Sequence, residues 1–270
     1  MGDTRAMTIF GAIARPSLPP ERIREVALAA EDAGLEELWV WEDSFWEGGV
    51  STSAALLGMT ERLRVGVGLF PVPLRNVALA AMEIATVDRM FPGRFVAGLG
   101  HGVQEWMGQA GVRARSPMTL MREYIGALRP LLSGEEVTVS GEYVNLDQVR
   151  LVWPPSAPTG LHIGGVGPNS LRVSGEVGDG TILVSDTAVE DLPRILGLIQ
   201  EGRAASGRPG DHQVTAFVSA QVGDAGGTAE LVRTWERAGA HRVILEPAAD
   251  ERDPVGFVQF AALEVQPLVG

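Results

Sequence analysis

Several acidic and imidazole side chains stand where an apolar run has just ended. Asp43 follows the run Leu38–Trp41, directly after Glu42. A carboxylate in that position can accept hydrogen bonds from the N–H groups of a heterocycle or act as a general base. An exposed acid in a surface loop fits the same residues equally well. Side chains alternate along an extended chain, so one member of the pair faces inward, and burying it unpaired is costly. Ser44 comes next, then Phe45 and Trp46, placed either to roof a pocket or to plug the end of the fold. His101 sits between Gly100 and Gly102, where an imidazole can exchange a proton near neutral pH or serve as an ordinary structural residue. His162, His212 and His241 form no metal-ligand spacing with each other or with a carboxylate, so no metal is expected. A Gly-x-Ser-x-Gly nucleophile motif is absent, and no Ser–His–Asp set can be assembled.

Glycine gathers at three places: Gly66–Gly68, Gly98–Gly102 and Gly164–Gly167, the last continuing as Pro168-Asn169-Ser170 into a helical pattern. Taken alone, each cluster is a tight strand-to-helix turn. Three together admit a flat, large ligand close to the backbone, and free N–H groups at the start of a helix suit a phosphate.

Apolar β-rich runs and amphipathic runs alternate along the chain and must position these residues. The spacing predicts strands over Met7–Ile13, Leu38–Trp41, Leu63–Phe70, Phe95–Leu99, Leu161–Gly165, Thr181–Val184, Val214–Val222 and Arg242–Leu245. Helices are predicted after each, the first carrying Ile23, Val26, Ala27 and Ala30 at i, i+3, i+4 and i+7. Pro117–Leu132 reads as a helix, and Val137–Val139 with Tyr143–Asn145 as a small hairpin between the fourth and fifth of these strands. Three joints share one design: a helix, a glycine (Gly34, Gly178 or Gly239), a short polar link and an apolar strand. Fully apolar strands suit a parallel sheet buried on both faces, and eight strand–helix units suit an α/β fold of the closed (β/α)8 TIM-barrel type. An open doubly wound sheet would want a Gly-x-Gly-x-x-Gly turn after the first strand, where Ile13-Ala14-Arg15-Pro16-Ser17 stands instead. The catalytic mouth of a barrel lies at the C-terminal strand ends, which is where Asp43, His101, the glycine clusters and Ser185-Asp186 fall.

The 270 residues fit one barrel domain spanning 1–270, since such barrels commonly take ~250. Glycine, at 34 residues, is well above its usual ~7% share without a collagen-like period, so the excess belongs to turns and close approaches. A net charge of −12 gives no drive toward nucleic acid or an anionic membrane, and the absence of cysteine excludes disulfides and thiol chemistry. Neither a signal peptide nor an ~18-residue apolar span is visible, so a cytoplasmic protein is expected.

In order and spacing, several segments resemble the luciferase-like family, and within it the oxidoreductases dependent on the deazaflavin coenzyme F420. They are Trp39-Val40-Trp41-Glu42-Asp43, Arg64–Leu69, Asn76–Asp88, Pro92–Gly100, Ile163–Pro168 and Gly175–Gly180. The resemblance implies a (β/α)8 barrel with F420, or alternatively FMN, at its mouth. It puts Asp43 beside the ring and matches Gly68-Leu69 to a non-proline cis peptide forming a bulge behind it. Gly100, His101 and Gly102 match the ring-side turn, and Gly164, Gly165, Val166, Gly167, Pro168 and Asn169 match the segment receiving the cofactor phosphate. Departures are specific. Ser44 replaces the histidine that follows the matched aspartate in several F420 dehydrogenases, and Val103 replaces a glutamate, so that acid/base pair does not carry over. Ser185 stands where sugar-phosphate-oxidising members place a lysine, which with the acidic charge argues against a sugar phosphate. The short Val222–Gly227 segment replaces a longer insertion and leaves the pocket open or closed by Gly102–Pro117.

The leading expectation is an F420-dependent oxidoreductase moving a hydride between the deazaflavin C5 and a small uncharged organic substrate. Asp43 would orient the ring, with His101, and more weakly Ser44, exchanging protons with substrate. Phe45, Trp46, Trp106 and Ser185 would line the substrate pocket. An FMNH2-dependent monooxygenase and a non-catalytic flavin-binding barrel are the alternatives. The family further implies a homodimer using the helices near strands two to four.

Overall fold

The computed structural model describes residues 8–208 and 210–269. Met7, expected to open the first strand, lies outside the described residues. Among the described residues ten strands form: β1 Ile9–Ala14, β2 Glu37–Val40, β3 Arg64–Pro71, β4 Phe95–Gly100, β5 Val137–Ser140, β6 Asn145–Val149, β7 Leu161–Gly164, β8 Gly180–Leu183, β9 Gln213–Ala220 and β10 Arg242–Pro247. Eight of them close a parallel barrel in the order β1-β10-β9-β8-β7-β4-β3-β2, while β5 and β6 pair only with each other. This is the (β/α)8 barrel, not the open sheet, and the hairpin is inserted between the fourth and fifth barrel strands.

The helices are α1 Ile23–Asp32, α2 Gly49–Met59, α3 Val77–Met90, α4 Gln104–Gln109, α5 Pro117–Leu132, α6 Pro168–Val177, α7 Leu192–Ser206, α8 Ala225–Ala238 and α9 Pro254–Phe260. A π-helical turn at Ala261–Val265 then leads into α10 Gln266–Val269. The apolar stripe read in the sequence is the buried face of α1: Ile23, Val26, Ala27 and Ala30 are all buried. Asn76, Asp224 and Asp253 cap α3, α8 and α9 by accepting N–H bonds from Ala78, Gly227 and Gly256.

Side chains fill two layers. Between strands and helices lies the main apolar shell, and inside the barrel a smaller cluster joins Ile13, Trp39, Val96, Ile182, Phe217 and Ile244. Trp39 meets Phe217 edge-on at 5.5 Å. Gly66 is required there, because a Cβ would stand 2.3 Å from the Trp39 ring. At the barrel's base, fully buried Glu37 accepts from Trp39 Nε1 at 2.8 Å and Arg242 Nε at 2.9 Å.

The three glycine joints are not alike. Gly34 and Gly239 take the left-handed conformation, φ +82° and +117°. Gly178 is extended at φ −91°, and its small size serves packing, since a Cβ would lie 2.7 Å from Ile163 Cγ1 and from Ser174 O. The hairpin's second strand begins at Asn145 rather than Tyr143. The Glu123 carboxylate takes the N–H groups of Glu142, Tyr143 and Val144, so those donors are spent on α5 rather than on a ladder. The last barrel strand runs past Leu245 to Pro247, and α4 forms within a segment whose sequence carried no clear period.

Candidate active site

A cavity of about 480 Å³ opens at the C-terminal ends of the strands, within the range of small-molecule and cofactor sites. Its lining unites residues far apart in the chain: Asp43 after β2, Gly68-Leu69 in β3, Gly100–Gly102 after β4, Gly164–Gly167 after β7 and Ser185 after β8. The Gly68–Leu69 peptide is cis, and the β3–β4 register shifts between Val67 and Phe70. The ledge this makes is packed from behind: a Cβ on Gly164 would sit 2.1 Å from Leu69 Cδ2, and one on Gly100 would sit 2.7 Å from it. Glycine at both positions therefore leaves room for the leucine beneath the cavity.

The adjacent acids Glu42 and Asp43 have separate jobs. Glu42 touches the cavity but is consumed, with Oε1 and Oε2 accepting from Arg75 at 2.6 and 3.0 Å and Oε2 also taking the Gly49 N–H at 2.7 Å. It ties β2 to the start of α2. Asp43 presents its carboxyl to the cavity, and burial, followed by the neighbouring Glu246 charge, raises its pKa above the ordinary aspartate value.

His101 lines the cavity. Its Nδ1 lies 2.8 Å from Gly102 O, an acceptor, so Nδ1 carries the proton and Nε2 of the neutral ring is an acceptor. Gln104, at the start of α4, donates to the carbonyls of His101 and Gly102 at 3.3 and 3.4 Å, fixing that turn. Trp106 on the same helix lines the mouth, and buried Met107 packs against Gly102, so the 102–117 segment does form one wall.

Ser44, Phe45 and Trp46 lie elsewhere. The chain turns sharply after Asp43, with Trp46 N–H bonded to Asp43 O and Phe45 at φ +76°. This throws Phe45 and Trp46 into solvent at 69% and 64% exposure and buries Ser44 away from the cavity, its hydroxyl without a partner. Pro168 and Asn169 open α6 beside the cavity, but Ser170 rather than either of them joins the lining.

Trp41, Phe217 and Glu246 are among the lining groups missed in the sequence. Trp41 stacks on Phe217 at 6.2 Å and lines the cavity while its buried indole N–H has no partner. Phe217 itself forms part of the floor. Glu246, near the end of β10, lines the cavity and is ion-paired to Arg15 at the end of β1. The signal for Glu246 was an acid directly after the apolar run Val243–Leu245, the same pattern that drew attention to Asp43.

The sequence model of the luciferase-like monooxygenase family matches residues 6–253. The chain belongs to that family. Among curated relatives, it is 28% identical over 242 residues to the 5,10-methylenetetrahydromethanopterin reductase of Methanolobus tindarius, covering 88% of this chain and 74% of that one. It is 30% identical over 205 residues to the F420-dependent glucose-6-phosphate dehydrogenase of Kineococcus radiotolerans, covering 70% of this chain and 60% of that one. The fold also matches an F420-dependent secondary alcohol dehydrogenase solved with an F420–acetone adduct, with TM-score 0.87 and 19% identity over 98% of this chain and 99% of that one. A second match is an FMN-bound type II Baeyer–Villiger monooxygenase from Pseudomonas putida, with TM-score 0.75 and 16% identity over 97% and 98% of the two chains.

Proposed function

We propose that this chain is an F420-dependent oxidoreductase acting on a small organic substrate at the barrel mouth. The observation that carries the reading is a cavity bounded by the Gly68–Leu69 ledge and lined by Trp41, whose buried indole N–H has no partner. A flat heterocycle with an acceptor edge answers that donor, and the Kineococcus radiotolerans relative named above is F420-dependent. When bound, the deazaflavin supplies hydride transfer at C5. The protein's part is position, exclusion of water and proton placement.

Trp41 would donate to the ring, with Leu69 beneath it. The Gly164–Gly167 run and the first turn of α6 offer backbone N–H groups to a phosphate, with no side chain in the way at Gly167. Asp43, whose raised pKa lets it keep its proton to higher pH than an ordinary aspartate, can present or withdraw a proton at its carboxyl oxygens. His101 Nε2 is placed to accept one. A sugar phosphate fits poorly, because among the described residues no arginine lines the cavity, and the chain contains no lysine. A homodimer would use the outer face of α3, where Leu79, Met82 and Met90 are exposed.

Titrating the purified protein with F420 and with FMN, followed by cofactor fluorescence, tests the reading. We expect micromolar F420 affinity, weaker FMN binding, and about a ten-fold loss of F420 affinity in Trp41→Phe, the worth of one hydrogen bond. Micromolar affinity for FMN with none for F420 would establish the flavin monooxygenase instead. Unchanged turnover in both Asp43→Asn and His101→Ala would remove those residues from the mechanism.

A further inference from the structure

The charged side chains lining the cavity are all acidic. Glu42, Asp43 and Glu246 are its charged lining groups, and His101 Nε2 adds another acceptor. Among the described residues no arginine reaches the lining, and there is no lysine anywhere in the chain.

Of the three carboxylates, Glu42 is fully engaged by Arg75 and Gly49, but Glu246 is only half engaged. Its residue is 6% exposed, Arg15 binds Oε1, and Oε2 is buried with no hydrogen-bond partner. A carboxylate oxygen left without a donor in a desolvated site is costly, and a ligand donor relieves that cost. Asp43 lines the same cavity as Glu246. Strand order explains the grouping: β10, β1 and β2 are consecutive around the barrel, and they deliver Glu246, Arg15 and Asp43 to one side of the mouth.

We propose that Glu246 is the specificity-determining residue of the site and that it receives a basic nitrogen, so that the substrate class is an amine or iminium compound rather than an anion. This rests on the cavity being the substrate site of the proposed oxidoreductase. Arg15 holds the Glu246 carboxylate by Oε1, which leaves the buried Oε2 as the oxygen for the substrate's nitrogen. A charge-assisted N–H···O bond in a water-poor pocket is about twice as strong as a neutral one, so the preference over an isosteric alcohol is expected to be about ten-fold.

Three isosteric probes test this by calorimetry on the cofactor-free protein at neutral pH: cyclohexylamine, cyclohexanol and cyclohexanecarboxylate. The expected order is the ammonium form first, the alcohol about ten-fold weaker, and the carboxylate without measurable binding. Glu246→Gln, checked for an intact fold by its melting transition, should bring the amine down to the level of the alcohol. An equal or reversed order in the wild-type protein overturns the proposal without recourse to any variant. So does a Glu246→Gln protein that keeps the amine preference, or one that changes only F420 affinity. Because the probes are measured without cofactor, a failed F420 titration and a failed probe ranking are separate results.

Discussion

Two histidines far from the mouth make this barrel acid-labile in a way that can be worked out. His162 on β7 is buried, its Nδ1 has no partner, and burial together with the nearby Arg242 guanidinium pushes its pKa down to about 3. His212, just before β9, is lowered to about 4 by burial and by Arg203. Its Nδ1 accepts from Arg203 at 3.2 Å, so Nε2 donates to Thr181 Oγ1 at 2.7 Å; Thr181 and Ser174 hydroxyls, 2.7 Å apart, pass the chain to Leu171 O. Protonating Nδ1 breaks that chain at its origin. Above the unfolded value of ~6.5 both states of the protein hold neutral imidazoles, and nothing is at stake. As pH falls below it, the unfolded chain takes up protons that the folded one refuses, so stability drops until the folded values are reached. Going from pH 8 to pH 5 costs about 2 kcal/mol for His162 and, after discounting the half-exposed His212 for screening, about 1 kcal/mol more. For a chain of this size that is a fall in melting temperature of about 5 °C. Asp43, Glu36, Glu47 and Asp88, all raised, work in the opposite direction at lower pH, which is why the comparison must be with a variant. Scanning calorimetry on wild type and on His162→Asn/His212→Gln across that range is the assay. The wild type should show the steeper loss. Parallel slopes in the two proteins would refute the reasoning.

Two further outcomes follow from the packing. Glu42→Gln loses the charge that faces Arg75; although Glu83 remains 3.1 Å from that guanidinium, the urea midpoint should report about 3 kcal/mol of lost stability, and an unchanged midpoint would mean the pair is dispensable. Gly66→Ala drives a methyl into the fully buried Trp39 ring and should cost about 2 kcal/mol by the same measurement, whereas Gly167→Ala, with open space around it, should melt as the wild type does.

Much of the barrel could be read in advance because its signals are local and repeated: an apolar run, a glycine or proline, an amphipathic run. Ile23, Val26, Ala27 and Ala30 declared their common face, and the acid after Leu38–Trp41 declared a strand end. What escaped reading depends on neighbours across the fold. The fate of Tyr143 turns on Glu123, twenty residues away, which removes three N–H groups from the ladder. Phe45 and Trp46 look like pocket residues until the backbone turn after Asp43 sends them outward. Glu246 became visible only when β10 was extended by Glu246 and Pro247, through pairing with Ser219 and Ala220. Trp41's role rests on a missing bond, and no spacing rule reveals an absence.

Finally, β4 pairs directly with β7, through Ala97 with Leu161, Gly98 with His162 and Leu99 with Ile163, so the ring of strands closes without using the sixty residues between them. The short stretch that carries Gln104 and Trp106 to the mouth belongs to that excursion. It is pinned to the barrel by Met107 against Gly102, while Asp43, Glu246, Trp41 and the glycine ledge are rooted in strands. The mouth thus has one inherited wall and one exchangeable cassette. A lineage, or a protein engineer, can rewrite what the cavity admits by replacing that stretch around a retained Met107, leaving Asp43, Glu246, Trp41 and the glycine ledge in place.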